Sequence, residues 1–102
     1  MAQTNGAPKP RFRVDMLGLA GPQLRAIAFD RPAADVVGAF RTILRRLQLD
    51  PREEGEPLYH FAKLHMTIRR VSVIPLYVEY GVHDTEPVVV IRRIAAFAES
   101  AP

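Results

Sequence analysis

From Leu64 to Ile94 the chain carries three apolar runs, Leu64–Ile74, Leu76–Val82 and Val88–Ile94, broken by Pro75 and by His83-Asp84-Thr85-Glu86-Pro87. Val, Ile and Tyr are dense in these runs and the spacers are short. That combination predicts an antiparallel three-stranded meander. In the first run Leu64, Met66 and Ile68 share one face, and His65, Thr67 and Arg69 the other. Val71 and Val73 then fall in the Arg69 phase, which a β-bulge near Arg69-Arg70 would repair. In the second run Leu76, Val78, Tyr80 and Val82 alternate with Tyr77, Glu79 and Gly81. Val88–Ile91 is apolar on both faces, as a central strand would be. Read this way, Val89 and Ile91 point away from the helix-covered side, beside Val71 and Val73. Such a patch needs a partner or a second copy to cover it. Arg92 and Arg93, as neighbours in a strand, are expected on opposite faces, one of them near the core edge beside a carboxylate.

The N-terminal half supplies the cover. Phe12, Val14 and Met16 alternate with Arg11, Arg13 and Asp15, a half-buried strand ended by Gly18 and Gly21-Pro22. Leu24, Ile27 and Ala28 form a short helical stripe after Pro22, interrupted at Asp30-Arg31-Pro32, with Asp30 expected to cap a second helix. That helix carries Val36, Val37, Phe40, Ile43, Leu44 and Leu47 at three- and four-residue steps, and Asp50-Pro51 stops it. Val36, Phe40 and Leu44 are expected to rest on Met66, Val78 and Val90. Residues 52–57 read as a charged loop, and Leu58–Phe61 as a short strand or a lead-in. The fold class is therefore α+β in two layers: an N-terminal strand, a helical hairpin, then the meander, with about four strands in the sheet. Residues 1–10 and 98–102 are expected as mobile ends around one domain, 11–97.

Composition narrows the function classes. Of 102 residues, 14 are basic and 11 acidic, a formal charge of +3, and 12 of the 14 are arginine. Arginine binds phosphate or carboxylate bidentately, so nucleic acid and acidic protein segments are both compatible partners. With no cysteine there is no disulfide framework and no thiolate ligand or nucleophile. No apolar run reaches the roughly 18 residues needed to span a bilayer, and the first ten residues lack a secretory core; a cytoplasmic location without membrane contact is the expectation. His60, His65 and His83 have no metal-site spacing, so no metal or cofactor is expected.

One segment resembles a known family. Leu47-Gln48-Leu49-Asp50-Pro51-Arg52-Glu53-Glu54-Gly55-Glu56-Pro57-Leu58 is similar to the hinge of the RelE/ParE superfamily, the small toxins of type II toxin–antitoxin modules. Arg69, Arg70 and Leu76-Tyr77-Val78-Glu79-Tyr80-Gly81-Val82 resemble that family's middle strands, and Val88–Ile91 its last. The resemblance implies a toxin-like protein that binds a macromolecular target, either ribosome with messenger RNA or gyrase, and is neutralised by an antitoxin. A RelE-like enzyme would be a metal-independent, ribosome-dependent endonuclease. The family's Tyr-Arg pair at the start of the third strand corresponds here to Leu76-Tyr77, so the arginine is missing, and Ile94–Pro102 holds neither tyrosine nor histidine. The resemblance is thus also compatible with a non-catalytic interaction domain that self-associates, as a homodimer, or binds a partner.

On the residues, the candidate catalytic set is Arg69 as phosphate clamp with His65 or Tyr77 moving a proton. The plain alternative is a solvated strand face with an Arg69–Glu79 cross-strand ion pair. Lys63, Arg70, Arg41, Arg45 and Arg46 are candidate RNA or partner contacts, the last three also readable as a solvated helix face. Val71, Val73, Val89 and Ile91 are the candidate interaction surface.

Overall fold

The computed structural model describes residues 11–97; the expected tails at 1–10 and 98–102 lie outside them. Strand β1 (Arg13–Met16) leads into helices α1 (Ala20–Asp30) and α2 (Ala33–Leu49). Strands β2 (Glu56–Phe61), β3 (Met66–Val73), β4 (Leu76–His83) and β5 (Val88–Ala96) follow. They form one five-stranded sheet in the order β1-β5-β4-β3-β2. β1 runs parallel to β5 and every other pairing is antiparallel. The α+β class, the helical hairpin and the meander are as the pattern predicts. The sheet has one strand more than expected because Glu56–Phe61 pairs along β3. Among the described residues, no helix is long and apolar enough to cross a membrane.

Helix α2 buries Val36, Ala39, Ile43 and Leu47, a stripe at three- and four-residue steps. It packs on Val71, Leu76, Val78, Tyr80, Val82, Val89, Ile91 and Ile94 of the sheet. Each fully buried aliphatic side chain contributes about 1.5–3 kcal/mol. From α1, Leu24, Ile27 and Ala28 pack against the same cluster. Asp30 ends α1 rather than capping α2; the residue before α2 is Pro32, and no side chain caps it.

Pairing along β3 is unbroken from Met66↔His83 to Val73↔Leu76, so there is no bulge at Arg69-Arg70. Thr67, Arg69, Val71 and Val73 all lie on the helix side; Met66, Ile68, Arg70 and Ser72 lie on the other. The apolar phase slips because cover changes sides along the strand. α2 buries the second half, whereas Ile68 is fully buried on the open side, opposite Tyr59 and Gly81. The same register puts Val89 and Ile91 under the helices with no exposure, and Val71 with 3%. With Val73 packed beside them, the expected interaction surface is core. Val36 does pack in the cluster with Val78, but Met66 and Val90 face the opposite way.

Gly81 shows how closely the open side is packed. A Cβ there would meet Met66 Sδ at 3.0 Å and Ile68 Cδ1 at 3.1 Å. Both are ends of flexible side chains. Gly81→Ala should therefore change stability by less than about 1 kcal/mol, strand entropy offsetting crowding; a larger loss in urea unfolding would mean that this side is rigid.

The segment that carries the family resemblance is a clamped corner. Pro51 is fully buried. The Tyr80 hydroxyl lies 2.9 Å from the Pro51 carbonyl and 2.8 Å from that of Glu54, its one proton shared between them. Arg69 donates from Nε to the Glu54 carbonyl at 2.9 Å and from Nη2 to that of Gly55 at 3.3 Å. Gly55 has φ +62° and sits against the Arg70 carbonyl. The Asp-Pro…Gly-Glu-Pro-Leu residues thus turn the chain from α2 into β2.

Candidate nucleic-acid interface

The face of the sheet away from the helices collects arginine and tyrosine. Between β4 and β5 the register shifts: Tyr80 pairs with Ile91 but Glu79 pairs with Arg93, leaving Arg92 extra. A bulge of this kind turns two successive side chains toward the same side. Arg92 accordingly reaches across the open face, its Nη1 donating to the Tyr59 hydroxyl at 2.8 Å. Arg93 lies on that face too, its guanidinium carbon 5.8 Å from the centre of the Tyr77 ring. The expectation that Arg92 and Arg93 point apart, one of them paired at the core edge, is overturned by this one inserted residue. Next to the bulge, Gln23 of α1 accepts a hydrogen bond from Ile94 N–H at 2.9 Å. Sequence reasoning left Gln23 unassigned, and no local pattern marks it.

Tyr77 is the centre of the patch. Arg70 stands on its other side, 5.7 Å from the ring centre, and Phe97 tilts against it at 5.2 Å. Arg70 also pairs with Glu56 at 3.1 Å, and Glu79 lies between Arg70 and Arg93 in one cross-strand row. Cations over an aromatic face are held by about 0.5–1 kcal/mol when exposed. Such a surface suits a polyanion that also offers flat rings: bases stack on tyrosine and arginine planes while phosphates meet the guanidinium edges.

The residues nominated from sequence do not converge. Arg69 lies on the helix side, opposite Tyr80 rather than Glu79, so the expected Arg69–Glu79 pair does not form. Tyr77 is on the open side. His65 occupies a left-handed turn at φ 53° after the short 3-10 turn Ala62–Leu64, its ring 6.2 Å from that of His83. The three candidate catalytic groups therefore occupy three places. Lys63 is exposed in that turn. Arg41, Arg45 and Arg46 are exposed together along α2, with Arg46 3.9 Å from Glu54. Arg70 and Tyr77, named for different roles, meet on the open face.

On the helix side, beyond the end of α2, His60 Nε2 lies 2.9 Å from Asp84 Oδ2. That hydrogen bond is the main reason the Asp84 carboxyl titrates below the ordinary carboxylate range. Among the described residues, no three His, Asp or Glu side chains are grouped so as to hold a metal. Compared with models of protein families, with characterised proteins and with solved structures, the chain finds no match.

Proposed function

We propose that this chain is a toxin-like protein of a type II toxin–antitoxin module that acts by binding RNA on the open face of its sheet. The observation that carries the reading is the bulge at Arg92, which places Arg92 and Arg93 with Arg70 around Tyr77 and Tyr59. The toxin class draws support from the order strand, helical hairpin, meander, and from the Asp50–Leu58 corner, whose residues do the same turning work the resemblance implies. Binding is favoured over cutting because the candidate catalytic residues Arg69, Tyr77 and His65 are apart and do not flank a common phosphate. An antitoxin with an acidic segment would neutralise the protein by occupying the same arginines. A self-associating interaction domain loses the surface assigned to it, since Val71, Val89 and Ile91 are under the helices with Val73 packed beside them.

Induced expression without a partner should arrest growth, and the triple variant Arg70→Glu, Arg92→Glu, Arg93→Glu should relieve the arrest while the protein stays folded. In vitro, the same variant should bind a single-stranded RNA at least about tenfold more weakly by fluorescence anisotropy, given the electrostatic share of such binding. Unimpeded growth at high expression would end the toxin reading; equal RNA affinity for both proteins would end the assignment of the face.

A further inference from the structure

A second polar site lies on the helix side of the sheet, unconnected with the arginine–tyrosine face. Arg52, Thr67, Arg69, His83 and Asp84, with Val82 as floor, line a recess of about 190 Å³. At about 30 Å³ per water this holds roughly six waters. That is ample for one hydrated oxyanion.

The two guanidiniums are fixed by the backbone. Arg52 Nη2 donates to the carbonyls of His83 at 2.9 Å and Glu86 at 3.3 Å, and its guanidinium carbon stacks 4.9 Å from the Phe12 ring. Arg69 is held by the Glu54 and Gly55 carbonyls through Nε and Nη2. A guanidinium has five N–H donors; Arg52 commits only Nη2 to carbonyls, while Arg69 commits Nε and Nη2 and also hydrogen-bonds the Tyr80 hydroxyl. Two cations are thus oriented in advance with donors to spare, which is how protein sites for phosphate are built. His83 accepts at Nδ1 from the N–H groups of Thr85 and Glu86, at 3.2 and 3.0 Å. Thr67 adds a hydroxyl. The opposing charge is Asp84, bound to His60; the Glu54 carboxylate is turned to Arg46.

We infer that this recess binds a phosphate group, held by Arg52 and Arg69 and weakened by Asp84. The phosphate could be free or the terminal group of a nucleic acid, and the recess serves either with the same donors.

The test is titration of the full chain with inorganic phosphate at pH 7.5 and constant ionic strength, followed by calorimetry and amide shifts, with chloride as control. Phosphate should bind and chloride should not. Arg69→Gln should weaken binding about tenfold or more, as loss of a charged hydrogen-bond donor does. Because Arg69 also braces a loop, the deciding variant is Asp84→Asn, which removes an exposed charge and should tighten phosphate binding about fivefold. Thr67→Val, checked for native circular dichroism, should weaken it. Phosphate binding no better than chloride, or an affinity unchanged or lowered by Asp84→Asn, would overturn the assignment. A 5′-phosphorylated oligonucleotide binding more tightly than its 5′-hydroxyl twin, with the gain lost in Arg69→Gln but kept in Arg70→Glu, selects a nucleic-acid end as the source; equal binding of the two selects free phosphate. RNA binding by the open face can fail without touching this result.

Discussion

Replacing Gly55 by alanine is expected to remove about 2–5 kcal/mol of stability, a large part of the 5–15 kcal/mol a domain of this size holds. Two costs add. At φ +62° any side chain meets left-handed strain of about 1–2 kcal/mol. A Cβ would also collide with the Arg70 carbonyl oxygen and lie 2.7 Å from its carbon. These are backbone atoms of a paired strand, so the corner must move as a whole, at about 1–3 kcal/mol by analogy with overpacked cores. Moving it stretches the bonds from Arg69 and Tyr80 that clamp residues 51–55. Gly18 is the internal control: its φ is +59°, but nothing lies within 4 Å of the Cβ it would gain. Gly18→Ala should cost only the strain. Urea unfolding followed by circular dichroism gives both values. Equal losses for the two variants would show that the Arg70 contact is unimportant.

The second large effect is alkaline. Burial, opposed only in part by the hydrogen bond and charge of Arg69, pushes the Tyr80 hydroxyl up from 10.0 to about 12. In the unfolded chain that hydroxyl ionises near pH 10, while the folded chain still holds the proton. Between pH 10 and 12 the unfolded state therefore binds fewer protons, and stability falls as pH rises. The contribution is whole below pH 10 and is lost by about pH 12, on the order of 2 kcal/mol. Tyr80→Phe should abolish this increment and cost about 1–3 kcal/mol at neutral pH, because the Pro51 carbonyl is left without its donor. Stability profiles of the two proteins should converge as pH rises from 10 to 12. If they ran parallel there, Tyr80 would not be the group responsible.

Both effects arise at one corner, and that corner shows how a short motif can serve a turn without carrying a chemistry. Pro51 and Gly55 serve the turn, and Tyr80 and Arg69 hold it shut. Arg69 in consequence spends two donor groups on backbone carbonyls. The chemistry-bearing surface lies on the opposite side of the same strands, where Arg70 and Tyr77 come from alternate positions.

Period and spacing in the sequence determined the elements. Helix α2 appears with its 3.6-residue stripe of Val36, Ile43 and Leu47, and β4 with its two-residue alternation, because each pattern reports on one element and the layer beside it. The class, the helical hairpin and the meander follow from that local information; the pairing of β1 with β5 and the corner at Asp50–Leu58 do not. Which face of each strand is covered was decided by tertiary structure alone. Alternation defines two faces of β3 but carries no label for either, and both are buried, Ile68 on one and Val71 on the other. A single extra residue at Arg92 reversed the reading of β5, bringing two arginines to one side and joining them to tyrosines from β2 and β4. Register between strands far apart in the chain is set by how their side chains fit once packed, and no stretch of sequence taken by itself contains that fit.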